Sequence, residues 1–389
     1  MAGADFDVVV VGAGPAGAAA GRAAAGAGAR VCLLERATLP RYKTCGGGLV
    51  GLSVDHAGID LVAAGVPHAR ADRLSVSLDG RLARTLPKTG TPWLTMVMRA
   101  EFDAALVASA RAVGAEIRAG THVTGVRGVD DLGEGDPGVL VSVRGGREVS
   151  ARVVVGADGT SGRVGTHVGV RCDQIEVGLE GEFPVGPELA RRWDGRLLLD
   201  WGPVPSSYAW LFPKGDVLTV GVIGPREAGA DLRAYYRRLV TRLGLDGIQP
   251  LHDSGHLTRV RAPGSPLRRG RVIVAGDAAG LLDPWTREGI SFALRSGRLA
   301  GLAAARAAAG DPDALAEYPD QIERILGPEI DAGREVLGLF RRHPIALHGV
   351  IAATPVGFPL FRRIIDGRTT IARQLRRPGV HRVIAALSQ

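Results

Sequence analysis

Two patterns of apolar positions recur along the chain. Unbroken Val-rich runs occupy Asp5–Gly12, Arg30–Leu34, Arg152–Val155 and Arg271–Ala275. Such runs are expected of strands in a parallel sheet covered on both faces, because neither set of alternate side chains meets water. Ala-rich stretches at Pro15–Gly28 and Gly289–Ala309 follow the first and last of these runs, and they predict closely packed helices. A further helix is expected over Arg99–Val113, with short strands over Ala115–Val126 and Val139–Val143. The amino end therefore reads as a βαβ unit.

Between Gln174 and Arg261 the pattern changes to alternating strands separated by turn residues, with one polar helix near Asp231–Leu243. Alternation predicts an antiparallel sheet. The expected fold class is α/β: a Rossmann-like, discontinuous cofactor domain over 1–173 and 262–310, interrupted by an antiparallel-sheet substrate-binding domain over 174–261. A mostly helical, basic region over 311–389 follows. The Gly/Asp stretch Gly128–Pro137 is expected to be a flexible hairpin tip.

With 389 residues and 46% hydrophobic content the chain can bury a large core. Its 56 glycines have no fixed period, which excludes collagen-like and disordered classes. Cys32, Cys45 and Cys172 share no metal-ligand spacing, so neither a disulfide framework nor a metal site is expected. A reducing cytoplasm fits, and the start MAGADFD has no cationic segment leading into an apolar run. The weakly polar stretch Ile345–Phe361 is interrupted by His348, Pro355 and Pro359 and is too short to span a bilayer as a helix.

The net charge of +8 is concentrated at the carboxyl end, where ten arginines after Ala332 face only Glu335 and Asp366. A basic tail with interspersed apolar residues suits peripheral contact with an anionic membrane or an acidic partner, and a solvated helical face equally. Nucleic acid is disfavoured, since no recognition motif or aromatic stacking platform accompanies the charge.

Chemistry enters with VVVVGAGPAGAAA. Gly12, Gly14 and Gly17 have GxGxxG spacing, with Pro15 and Ala16 between them, directly after a strand and at the start of a helix. Backbone amides and the helix dipole can then face a pyrophosphate. Glu35, followed by Arg36, ends the second strand 18 residues beyond Gly17, where a carboxylate can accept from an adenosine ribose. Two further Gly-rich turns follow buried strands: GADGTSGRVG with Asp158 and Gly159, and VIVAGDAAGLLDP with Gly276 and Asp277. These resemble the second and third FAD motifs of flavin monooxygenases and their reductase relatives.

Tyr208, Trp210 and Phe212 in SYAWLFPKGD are spaced by two, so in a strand they share one face. That face can line an apolar tunnel or merely pack two domains together. With LPRYKTCGGGL (Leu39–Leu49) and GDAAGLLDPWTREGI followed by Ser296 and Gly297, this stretch resembles the geranylgeranyl reductase family and its Tyr-x-Trp-x-Phe-Pro motif.

The resemblance implies a para-hydroxybenzoate hydroxylase-like fold and FAD, with Arg99, Val123, Gly46, Gly47, Gly289 and Ile290 among the cofactor contacts. It implies a helix start at Gly289 and Ile290 directed at the pyrimidine side of the flavin. It also implies reduction of carbon–carbon double bonds in an isoprenoid chain, on a prenyl lipid or quinone, by hydride from flavin N5. Cys45 is then near the flavin, as a proton source beside Tyr208, Trp210 and Phe212. An inert thiol on a tight turn fits the same loop, for no His or Lys is visibly paired with it. Arg287 departs from the glycine that the family has before EGI.

The alternative is an FAD-dependent monooxygenase or halogenase on the same fold. Aromatic hydroxylases carry His after GDAA, where this chain has Gly280; flavin halogenases carry Trp-x-Trp-x-Ile-Pro and a catalytic lysine, and only Lys43, Lys88 and Lys214 exist here. The nucleotide motif occurs once, so no separate NAD(P)H domain is expected, and the external donor is left as NAD(P)H or ferredoxin.

Overall fold

The computed structural model describes residues 4–88, 90–128, 138–377 and 380. The expected hairpin tip, apart from Gly128, and Arg382 of the basic tail lie outside them. Among the described residues, an eight-stranded sheet has the Val-rich runs at its centre. Val272–Val274, Val149–Gly156, Phe6–Val11, Val31–Leu34 and Glu116–Arg118 lie side by side and parallel. The hairpin of Val123–Arg127 and Val139–Val143 adds antiparallel strands. Val8, Val9, Val10, Leu33, Val153 and Val154 are fully buried, as unbroken apolar runs require.

The helices Pro15–Gly26 and Ile290–Ala308 pack against each other on this sheet. Glycine makes their approach possible. A Cβ on Gly297 would stand 2.1 Å from the Ala16 carbonyl oxygen, and one on Gly301 would stand 2.2 Å from that of Ala20.

A second, seven-stranded sheet runs in the order His252–Arg261, Cys172–Pro184, Val217–Pro225, Tyr208–Lys214, Arg196–Trp201, Arg73–Leu78, Arg81–Thr85. Its strands are antiparallel except for the parallel pair Arg73–Leu78 and Arg196–Trp201. The last two strands come from within 1–173, so the chain visits the second sheet long before Gln174. Their mixed, partly charged sequence, with Arg81–Thr85 exposed throughout, has no apolar run to announce them. A small third sheet pairs Gly48–Leu49 and His68–Ala71 with Leu94–Val97.

One face of the second sheet, through Leu198, Leu211, Leu218 and Val220, packs on Leu232, Tyr235 and Leu239 of the helix Gly229–Arg242. The opposite face is divided. Leu197, Trp201, Tyr208 and Phe212 pack with Val336, Phe340, Phe358 and Phe361 of the carboxyl-terminal helices. The half nearer His252–Arg261 is polar and faces the first sheet. Among the described residues no single helix is long and apolar enough to cross a membrane, and the apolar pair Pro344–Ala353 and Gly357–Ile365 is bent by 93°.

Candidate active site

The Gly-rich turn is shaped by two close contacts. Gly12, at φ +100°, carries no Cβ that would strike the Ala157 carbonyl oxygen at 2.3 Å, and a Cβ on Gly17 would lie 1.8 Å from the Gly12 oxygen. Gly14 differs: the nearest heavy atom to a Cβ there is Arg41 Nη2 at 3.6 Å, so the missing side chain opens space. Gly14 also precedes a helix that begins Pro15–Ala16 and has no side-chain cap, which leaves amide donors and a positive dipole end for an anion.

Glu35 is buried and accepts from the Ala13 amide at 2.9 Å and the Ala37 amide at 3.0 Å, so its carboxylate is fixed beside the turn. Arg36 is exposed at the rim. Thr121, two residues before the buried Val123, donates its amide to the Glu35 carbonyl at 2.7 Å. Arg99 forms a two-pronged ion pair with buried Asp103, both distances 2.9 Å, and the Cys45 sulfur lies beside the same guanidinium.

The two later aspartates differ in use. Asp158 accepts from the Val164 amide at 3.0 Å, at the start of the helix Arg163–Val168, while Oδ1 is buried without a hydrogen-bond partner among the described residues. Gly159 next to it has φ +77°. Gly276 has φ +56° and donates its amide to Ser296 Oγ at 2.9 Å, which ties the third turn to the helix Ile290–Ala308. Asp277 faces that helix start: a Cβ on Gly289 would be 3.5 Å from Asp277 Oδ1.

The Cys45 loop and the aromatic strand come together. A Cβ on Gly46 would stand 2.9 Å from Trp210 Nε1 and 3.0 Å from Phe212 Cδ2. One on Gly47, at φ +73°, would stand 2.1 Å from the Val97 carbonyl oxygen. The Cys45 sulfur accepts from the Gly47 amide at 3.4 Å. The Trp210 and Phe212 rings are 6.5 Å apart, with Tyr208 6.0 Å beyond Trp210. Tyr208 is turned to structural use: its hydroxyl donates to the Thr286 carbonyl at 2.6 Å and its ring packs on Trp201.

Register places a polar row beside the aromatics. Trp210 pairs with Gly221, Gly221 with Glu180, and Glu180 with Ser254; Phe212, Thr219 and Glu182 form the next row. Directly opposed residues share a face. Glu180 Oε1 accepts from the Cys45 amide at 2.9 Å and from Tyr42 Oη at 3.4 Å, and Ser254 Oγ links Tyr42 and Thr44, each at 2.8 Å. Burial pushes Glu180 up to about 7 against the opposing charge of Lys214. Burial holds Lys214, 3.7 Å from Glu182, and Lys43 below their ordinary range. Burial and the charge of Lys43 push His256 down to about 4. Glu180 Oε2, Glu182 Oε2, Lys214 Nζ, Thr219 Oγ1, Thr258 Oγ1 and His256 Nε2 are all buried without a hydrogen-bond partner among the described residues. Such a concentration of unpaired polar atoms is costly unless water or a ligand meets it.

Arg287 adopts φ +56°, the conformation that glycine takes without strain. Its guanidinium is engaged on Glu176, Nε to Oε2 at 2.7 Å and Nη2 to Oε1 at 2.6 Å, and on the Ser206 carbonyl at 2.7 Å. The charge that replaces the family's glycine is thus neutralised inside the second sheet's interface. Glu288 accepts from the Ser291 amide at 2.6 Å, and burial pushes its carboxyl up to about 8. A neutral carboxyl there adds no negative charge of its own to the positive end of the helix at Ile290.

The glycine turns, Glu35, Cys45 and the aromatic triplet named from the sequence are brought to one region; Glu180, Glu182, Lys214, Ser254 and His256, which lie beside them, were not named, because alternate polar residues in a strand have the signal of a solvated face. The residues fit FAD: an uncapped helix start opens at Gly14, a fixed carboxylate stands beside it, and Glu180 and Lys214, which adjoin the Cys45–Gly47 loop, carry buried polar atoms without a partner among the described residues.

Residues 5–188 match the family model described as FAD binding domain. The chain is 31% identical over 354 residues to digeranylgeranylglycerophospholipid reductase 2 of Methanopyrus kandleri, covering 83% of each chain. Among solved structures, the geranylgeranyl bacteriochlorophyll reductase-like protein of Thermoplasma acidophilum is 22% identical, with a TM-score of 0.77, and 95% of this chain and 98% of that one are covered. A flavin-dependent brominase shares the fold with a TM-score of 0.73 at 20% identity, covering 98% of both chains. The sequence likeness along more than four-fifths of both chains, on this flavin-hydroxylase type of fold, makes the chain a member of the geranylgeranyl reductase family of FAD-dependent oxidoreductases.

Proposed function

We propose that this protein reduces carbon–carbon double bonds in the isoprenoid chain of a prenyl lipid or prenyl quinone. The observation that carries the reading is the aromatic strand pressed against the Cys45–Gly48 loop, which joins an apolar face to a cluster of buried proton-bearing groups. The monooxygenase or halogenase alternative rests on likeness of fold alone. Reduced FAD supplies the hydride, from N5; the remaining tasks fall to the chain.

An isolated alkene accepts hydride poorly, so a proton must reach one carbon as hydride reaches the other, and positive charge grows at the more substituted carbon. The faces of Trp210 and Phe212 stabilise such charge without being alkylated as readily as a carboxylate. Tyr208 holds the strand in place. Cys45 and Glu180 share the proton-handling task. Glu180 is the stronger candidate, because an acid whose pKa lies near 7 is half-protonated at neutral pH and has a free oxygen, Oε2.

We assign the cofactor's pyrophosphate to Gly12, Gly14 and Gly17, its adenosine end to Glu35 and Val123, and its flavin end to Arg99, Asp277 and Ile290. The division into 1–173 with 262–310, 174–261 and 311–389 remains our proposal, with Arg73–Thr85 lent to the substrate side. Peripheral contact with an anionic membrane is proposed from a patch in which Leu82, Ile345, Val350 and Val356 are 64%, 65%, 49% and 69% exposed. His348 Nε2 contacts the Leu82 carbonyl oxygen at 3.1 Å and so joins the helix Pro344–Ala353 to the strand Arg81–Thr85; Arg81 and Arg84 are exposed on that strand and Arg341 at the end of the preceding helix.

Dithionite-reduced holoenzyme, kept anaerobic with a geranylgeranyl lipid or a menaquinone, is expected to give products heavier by H2 and free of added oxygen by mass spectrometry. Unchanged prenyl compounds, together with oxygen-dependent hydroxylation of a ring substrate, would favour the oxygenase instead.

Glu35→Ala should lose FAD on dilution more readily than Cys45→Ala, since a charged hydrogen bond contributes about 1.5–3 kcal/mol. Equal flavin absorbance in the two variants would show the assignments to be wrong.

If the protonated Glu180 is the acid, turnover should fall about tenfold per pH unit above 7. Glu180→Gln keeps an acceptor for the Cys45 amide but should be slower by roughly a hundredfold and lack that limb. A variant profile that retains the wild-type limb would remove Glu180 from the role.

A charged and an apolar signal together are the usual requirement for peripheral binding. The protein should therefore float with anionic vesicles and not with neutral ones, and indifference to lipid charge would contradict the membrane reading.

A further inference from the structure

Glu180, the acid assigned to the reaction, is 0% exposed, so a proton that it gives up has to be replaced through other groups. Its Oε2 has no hydrogen-bond partner among the described residues, and its Oε1 accepts from the Cys45 amide at 2.9 Å and the Tyr42 hydroxyl at 3.4 Å. An amide nitrogen donates but does not accept, so it cannot pass a proton on; a hydroxyl does both.

From Tyr42 a row of hydroxyls continues. Tyr42 Oη meets Ser254 Oγ at 2.8 Å, and Ser254 Oγ meets Thr44 Oγ1 at 2.8 Å. In both contacts either oxygen can be the donor, so the row can point its protons in either direction. Tyr42, Thr44 and Ser254 are half-buried. His252, two residues before Ser254 on the same face of the edge strand His252–Arg261, is exposed. The row therefore runs from a buried carboxyl to the edge of the sheet. The Tyr42 ring is held in it by the His252 imidazole, with 3.9 Å between ring centroids and 20° between planes. Burial pushes the Tyr42 hydroxyl up to about 12, so it keeps its proton at neutral pH and adds no charge beside Glu180. Lys214 and Glu182, whose charges act on Glu180, offer no such row: Lys214 Nζ and Glu182 Oε2 are buried and lack a hydrogen-bond partner among the described residues.

We propose that Tyr42, Ser254 and Thr44 form a proton relay that reprotonates Glu180 from solvent between turnovers. This rests on the reading of Glu180 as the acid. As hydride reaches one alkene carbon, the Glu180 proton passes to the other, and a carboxylate remains. The Tyr42 hydroxyl proton then moves to Glu180 Oε1, that of Ser254 to Tyr42 Oη, that of Thr44 to Ser254 Oγ, and one from a solvent hydronium to Thr44 Oγ1. A half-turn of the carboxyl exchanges its two oxygens and presents the new proton on the free side. One solvent proton is taken up for each bond reduced, and no charge is left in the row.

Tyr42→Phe keeps the ring on His252 and removes only the hydroxyl, and Ser254→Ala breaks the row one step farther out. The first measurement needs no turnover. In oxidised holoenzyme held below the Glu180 pKa of about 7, transfer to D2O shifts the carboxyl infrared band that is missing in Glu180→Gln. In both variants that shift should be slower by about tenfold or more. The second measurement is anaerobic, with excess dithionite and a geranylgeranyl lipid. The first turnover uses the proton already on Glu180, whereas later ones depend on the relay. In Tyr42→Phe the ratio of first to later rates should rise by about tenfold, and a small weak acid such as acetic acid should restore it.

Band exchange at the wild-type rate in either variant overturns the relay. A loss that is equal in first and later turnovers and is not restored by weak acid overturns it too, since that is the mark of a merely structural role. If Glu180→Gln is slow in its first turnover while Tyr42→Phe shows neither effect, the relay alone is refuted. If Glu180→Gln turns over as fast as wild type, the acid reading falls and the relay with it.

Discussion

The contact on which the site depends is the one between the helices Pro15–Gly26 and Ile290–Ala308. Gly297 against the Ala16 carbonyl and Gly301 against the Ala20 carbonyl set these helices parallel and in a fixed register. Because Ile290 precedes Gly297 by seven residues whereas Pro15 precedes Ala16 by one, the second helix begins about 9 Å farther along the shared axis. Two positive helix ends, neither capped by a side chain at its N-cap residue, therefore point the same way at different depths. On the proposed assignment, the pyrophosphate of the cofactor would meet one end and its electron-accepting ring system the other. Substituting either glycine pushes the helices apart and misplaces both ends together.

The second sheet meets this frame with a face divided by register. Toward Tyr208 it is apolar and closed by the carboxyl-terminal helices; toward Ser254 it is polar and left with unpaired atoms. Trp210 and Phe212 lie at the boundary. Their place depends on Gly221 as well, since a Cβ there would lie 2.2 Å from Trp210 Cζ2. The ion pair of Arg287 with Glu176 fixes the same boundary from the other side. It ties the turn before Gly289 to the strand that carries Glu180 and offsets the strain of a positive φ at a non-glycine residue, which is of order 1 kcal/mol.

Where the sequence was legible, one physical requirement left one visible pattern. Strands buried on both faces can only be apolar runs, and Gly12 and Gly17 are forced by carbonyl oxygens closer than any Cβ tolerates. The aromatic triplet showed its common face by spacing, but the spacing does not reveal that Tyr208 serves the packing of Trp201 while Phe212 meets the Cys45 loop. Glu180 and Glu182 were illegible because a strand written IEVGLEGEFP has the alternation of a solvated edge; burial of its polar face is decided by what covers it. Arg73–Thr85 was missed for the related reason that this hairpin joins the sheet only through Arg73–Leu78, whose partner Arg196–Trp201 lies more than a hundred residues away.

The protonation of the polar face follows from that burial. Glu180 and Glu288 are raised from an ordinary value of 4.5 to about 7 and about 8. The unfolded chain releases these protons near 4.5 and the folded one only near 7 to 8, so their contribution to stability is greatest below 4.5 and is lost as pH rises through that window. A ligand that brings hydrogen-bond donors to Glu180 Oε2 would lower that carboxyl's pKa and reverse part of the loss, since a charged carboxylate is favoured by each donor it gains. The face is therefore less stable alone than with its ligands at neutral pH. An acid buried with one oxygen left over keeps a proton available beside the Cys45 loop, and on the proposed reading occupancy of that site becomes part of what holds the two sheets together.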